Sequence, residues 1–121
     1  MSVRIQCLHH LLQESSFDPW ESVSSILKAR GPRANRLQQH ILETKKMYWA
    51  LIGQITPINT PPDELPEMLL WEIEQVQCLS EDVLDSPLLY CGREMTVEAL
   101  VRLSARHSVW HAGQVALTRM D

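Results

Sequence analysis

The stretch Val97-Glu98-Ala99-Leu100-Val101-Arg102-Leu103-Ser104-Ala105-Arg106-His107-Ser108-Val109-Trp110-His111-Ala112-Gly113-Gln114-Val115 decides how the chain folds. Val97, Leu100, Val101, Ser104, His107, His111, Val115 and Thr118 recur at intervals of three and four, the period of an α-helix with one inward stripe. Leu103, Trp110 and Leu117 make an adjoining stripe, and a helix with two such ridges packs against more than one neighbour. Thr96 supplies an N-cap, and the spacing predicts a helix over residues 97–119. His107 and His111 stand four residues apart, so on that helix they share a face with Cβ atoms about 5–6 Å apart. Two imidazoles so placed can converge on one metal ion, whose bonds to nitrogen need only about 2.0–2.1 Å.

Upstream of this helix the segment 88–94 is short, contains Gly92 and reads as extended for a few residues. Asp63 or Glu64 starts another helix, with Pro66 tolerated in its first turn. Leu69, Leu70, Ile73, Val76 and Leu79 form its apolar face, and Glu67, Glu72, Glu74 and Gln77 read as its solvated one. Val83 and Leu84 extend it until Ser86-Pro87. Residues 56–62 hold three prolines and Asn59, a loop composition.

A long helix is expected over residues 34–55, with Leu37, Ile41, Thr44, Tyr48, Leu51 and Ile55 as the buried stripe and His40, Met47 and Ile52 flanking it. His40, three after Leu37 and four before Thr44, is expected to point inward. Asp18-Pro19-Trp20-Glu21 reads as a helix start: Asp as cap, Pro at the first helical position and Glu three residues after the cap. Val23, Ile26, Leu27 and Arg30 follow at helical spacing until Gly31-Pro32, and Trp20 reads as a core or bundle-end anchor. Residues 2–14 carry Val3, Ile5, Cys7, Leu8, Leu11 and Leu12 on one side of a first helix, with His9-His10 as a surface pair. Three long helices and a first one interrupted near Asp18, with no strand signal, give an all-α four-helix bundle as a single domain over residues 1–121.

Composition narrows the function. A formal charge of −4 without a basic block argues against nucleic-acid binding, which needs a positive footprint. Cys7, Cys78 and Cys91 are odd in number and form no C-x-x-C pair, which points to a reducing cytoplasm rather than a disulfide scaffold. No run approaches the length needed to span a membrane. The opening segment 1–13 is interrupted by Gln6, His9 and His10 and does not read as a secretory signal.

His40 and the His107/His111 pair fall on inward stripes of different helices, so three imidazoles can meet if those helices are neighbours. Three protein ligands with a position left open is the layout of a catalytic metal site. Histidines filling a core through hydrogen bonds are the competing reading, and pattern alone leaves both standing. The di-iron motif Glu-x-x-His is absent, since Gln6, Cys7, Leu37, Ser104 and Ser108 occupy the positions three before each histidine. No H-E-x-x-H, G-x-S-x-G, P-loop or dinucleotide fingerprint occurs.

The closing motif His107-x-x-x-His111-x-Gly113-Gln114-Val115 resembles the terminal-helix signature of the DinB/YfiT-like superfamily. Leu37-x-x-His40-Ile41, followed by Tyr48-Trp49 and Gly53, looks like that family's second-helix motif, and Asp18-Pro19-Trp20-Glu21-Ser22 is similar to an early segment of some members. The resemblance implies a four-helix bundle holding a divalent metal, often zinc or nickel, through His40, His107 and His111. Characterised members include thiol S-transferases and a thiol-dependent isomerase that use bacillithiol or mycothiol. Others are classed as metal-dependent hydrolases, and several are homodimers. This chain is shorter than usual members: its first helix reads as broken and its middle loops as trimmed, and those parts largely build the substrate pocket.

The chemistry expected is a metal ion activating water or a low-molecular-weight thiol towards a small-molecule substrate. Thr44 and Tyr48, one and two turns along from His40, are candidates to line the opening, as are Ser104 and Gln114. Glu43 is the first carboxylate to consider as a base. The alternative is a non-catalytic helical-bundle or dimerisation protein with vestigial or adventitious metal binding.

Overall fold

Ser2 opens the first helix by accepting a hydrogen bond from the Ile5 amide, and α1 runs over Val3–Phe17 with Ile5, Leu8 and Leu12 buried. The computed structural model describes residues 2–118. After α1 come a short 3₁₀ turn (Val23–Ile26), α2 (Pro32–Gly53), α3 (Leu65–Gln77) and a single-turn α4 (Glu81–Leu84). A hairpin of β1 (Pro87–Tyr90) and β2 (Arg93–Thr96) leads directly into α5 (Val97–Thr118). The expected end of that helix, at residue 119, lies outside the described residues.

The chain is thus mostly helical with one small two-stranded sheet. α1 packs on α5 and α3, and α2 packs on α5 and α3, so the four longer helices surround a shared core. Leu8, Leu12, Ile41, Trp49, Ile52, Met68, Leu69 and Leu100 are fully buried there. Each such side chain contributes about 1.5–3 kcal/mol through removal from water. No helix among the described residues is long and apolar enough to cross a membrane.

Several expectations are corrected. Asp18 does not start a helix. Its side chain accepts from the Trp20 amide, Ser22 Oγ donates to the Asp18 carbonyl, and Ser25 Oγ donates to the Ser22 carbonyl. Such side-chain to backbone bonds compete with helical ones, so only four residues turn, and Trp20 is 81% exposed rather than an anchor. Secondly, the absence of strands is overturned: the segment 88–94 is extended as expected, but it belongs to a true hairpin, pairing Leu88 with Met95, Leu89 with Glu94 and Tyr90 with Arg93. Its two-residue loop, Cys91-Gly92, has φ of 52° and 76°, the left-handed pair that matches strand twist.

Thirdly, the adjoining stripe of α5 is only partly buried: Leu103 packs against the core, but Trp110 and Leu117 are exposed, and Ala105, Ser108 and Ala112 are buried in their stead. Fourthly, Glu72 is not on the wet face of α3. It lies fully buried on the same face as Leu65, Met68, Leu69 and Val76, while Leu70 is exposed. Helix α2 starts about half a turn before its expected start because Pro32, with fixed φ, serves as its first residue, and it ends at Gly53, before the expected residue 55.

Candidate metal centre

Helices α2 and α5 run antiparallel along a common seam, with His40 beside His107 and His111 and Lys45 beside Ser104. Near the start of this seam the three imidazoles meet. Ring centroids are 5.0 Å apart for His40–His107, 4.6 Å for His40–His111 and 4.3 Å for His107–His111. One nitrogen from each ring lies within 4.8 Å of the others. His107 and His111 are half-buried and His40 is exposed. The cluster therefore forms at the surface edge of the seam and not inside the bundle, as the inward reading of His40 had it. Ile41 and Leu42 are the buried residues of that turn, and a step of about 100° per residue puts His40 at the margin of the stripe.

The donor set fits a divalent ion. Nitrogens sharing one ion in tetrahedral array stand about 3.4 Å apart, so side-chain rotations of roughly an ångström close the cluster. Three neutral imidazoles suit zinc, nickel or a similar transition ion. The exposed flank of His40 leaves further coordination positions towards solvent.

Two features hold the rings in ligand form. Burial first, then the neighbouring His111 and His40 rings, then the Lys45 ammonium, push the His107 pKa down to about 4. Near neutrality that ring is uncharged and keeps a lone pair. His111 Nδ1 lies 2.6 Å from Gln114 Oε1. The amide oxygen can only accept, so Nδ1 carries the hydrogen and Nε2 is left with its lone pair.

Gln114, expected along the opening, thus bonds to the His111 ring directly. Tyr48 is buried, its ring 6.2 Å from that of His107 and 5.3 Å from Tyr90. Burial and then the Tyr90 hydroxyl raise its pKa well above the ordinary phenol value, so it stays protonated. Thr44 is buried one turn after His40. Ser104 is buried too, and its hydroxyl is taken up by Lys45 and Glu72 away from any opening. Glu43 is exposed and accepts from Gln39 four residues earlier, a contact along its own helix. Trp110, unforeseen at the site, sets its exposed ring edge-on to His111 at 5.0 Å.

Comparison with family models, curated proteins and solved structures returns no match to this chain.

A second polar cluster lies one turn deeper and was missed in the sequence. Lys45 Nζ donates to Glu72 Oε1 at 2.6 Å and to Ser104 Oγ at 3.0 Å. Ser104 Oγ and Trp49 Nε1 both donate to Glu72 Oε2, at 2.7 and 2.8 Å. The signal was present: Lys45 is four after Ile41, and Glu72 is three after Leu69 and four before Val76, both within buried stripes.

Proposed function

We propose that this chain is a metal-dependent enzyme of the DinB/YfiT-like kind, with His40, His107 and His111 holding one divalent ion and a small-molecule substrate approaching from the exposed side of His40. The observation that carries this reading is the convergence of three imidazoles from two helices on one point, with nitrogens within 4.8 Å. A divalent ion held there supplies Lewis-acid chemistry, lowering the pKa of water or a thiol towards neutrality, as hydrolase or thiol S-transferase chemistry requires.

The chain's own residues perform the supporting tasks. Gln114 fixes the His111 tautomer and ring plane. The low pKa of His107 keeps it available as a ligand across the neutral range. Tyr48, buried and protonated, closes the inner side of the site against water. Trp110 offers a flat apolar face beside His111 at the solvent side, where a substrate arrives.

Elemental analysis of untagged protein tests the proposal. About one equivalent of zinc or nickel is expected, falling to background in His107→Ala and His40→Ala. Metal content unchanged by either substitution overturns it.

A further inference from the structure

The Lys45–Glu72–Ser104 cluster ties together α2, α3 and α5, and none of its three side chains is more than 1% exposed. Both carboxylate oxygens of Glu72 are satisfied, one by Lys45 and the other by Ser104 and Trp49. A buried ion pair of this kind is weak support for stability, since apolar residues of similar volume often do as well or better. Its best-attested use is to fix one register among packings that apolar contact alone leaves nearly equivalent.

The register in question is the one the histidines need. Lys45 is five residues beyond His40 on α2, about 7.5 Å along the axis, and Ser104 lies three residues before His107 on α5. The two contacts are therefore successive rungs of one antiparallel seam. A slide of α5 by one turn, about 5.4 Å, would carry Ser104 away from Lys45 and His111 away from His40 together. Apolar burial is non-directional and does not forbid that slide. The cluster does: the slide leaves the Lys45–Glu72 pair between α2 and α3 in place but takes from both buried charges the hydroxyl of Ser104, which accepts from Lys45 and donates to Glu72, so two charge-assisted hydrogen bonds are lost out of reach of water.

We infer that Lys45, Glu72 and Ser104 are positioning residues for the candidate metal centre: they set the α2–α5 register that brings His40 to His107 and His111. This rests on the proposed function for its purpose, but the placement of the rings can be read without metal.

The test compares wild type with the double variant Lys45→Met, Glu72→Leu and with Ser104→Ala, by three readouts: thermal melting, nuclear Overhauser contacts between the His40 ring and the His107 and His111 rings in metal-free protein, and cobalt(II) titration followed by its visible spectrum. The double variant is expected to melt at or above the wild-type temperature, to lose the His40 ring contacts, and to bind cobalt at least about tenfold more weakly with an altered spectrum. A folded double variant with ring contacts and cobalt affinity both unchanged overturns the inference. Should the double variant not fold, Ser104→Ala decides by the same ring contacts and cobalt titration. Wild-type protein that shows the ring contacts but binds no cobalt defeats the proposed function, and loss of those contacts in the variants still upholds the positioning role.

Discussion

His111 and Gln114 lie three residues apart on α5, and the ring Nδ1 donates to the amide Oε1 at 2.6 Å. The bond selects one tautomer, orients the ring and leaves Nε2 as the nitrogen with a free lone pair. Replacing Gln114 with Leu removes the acceptor at a partly exposed position. Metal affinity should fall by about 10–100-fold, the usual cost of losing a partner behind a histidine ligand, while the metal-free melting temperature holds. Isothermal titration with zinc reads the first, and calorimetry without metal the second.

Metal should also stabilise the fold. An ion bound only by the folded chain raises the unfolding free energy by about 2.7 kcal/mol at 100 times its dissociation constant. His40 is exposed, so His40→Ala should shift metal-free stability by no more than about 0.5 kcal/mol and abolish the zinc-dependent rise. A rise that survives in His40→Ala places the ion elsewhere.

The cluster was legible in the sequence because it depends on local periodicity. His107 and His111 share a helix face by spacing alone, and His40 borders the stripe that carries Ile41, Thr44 and Tyr48. Its depth was not legible, since one residue of helical phase separates the buried stripe from its exposed margin. The hairpin was obscured by Cys91 at a position that favours Asn or Gly. Glu72 misled for a different reason. Residue type suggested solvent, whereas its neighbours Leu69 and Val76 placed it inward, and only Lys45 from another helix made that burial tolerable. Trp20 failed in the opposite sense, an apolar residue turned outward by serine and aspartate bonds to the backbone.

Acid should weaken the fold through Arg4. Its guanidinium meets Asp85 and Glu98, each at 2.7 Å, joining α1 to the loop after α4 and to the first turn of α5. Hydrogen bonds from Arg4 hold both carboxyls below their ordinary range. With folded pKa values depressed, this contribution is fully present above the ordinary carboxylate pKa of about 4. It is lost as pH falls through the lower folded values, where the unfolded chain binds more protons. Solvent screening keeps the effect small. Arg4→Gln should therefore flatten the acid limb of a melting-temperature profile between about pH 5 and pH 3, and an acid limb identical to wild type would falsify the assignment.

The buried pair makes the sharpest stability prediction. Lys45→Met leaves the Glu72 carboxylate facing Ser104 and Trp49 with no counter-charge, and Glu72→Leu leaves the Lys45 ammonium with only a hydroxyl. Each single variant should lose about 3–5 kcal/mol of unfolding free energy, because an uncompensated charge remains out of water. The double variant removes both charges and fills their volume with apolar groups, so it should match or exceed the wild type. Urea melts of the four proteins form a cycle whose coupling term isolates the pair. Additive losses, with the double variant the least stable of the four, would mean that Lys45 and Glu72 do not share a charge in solution.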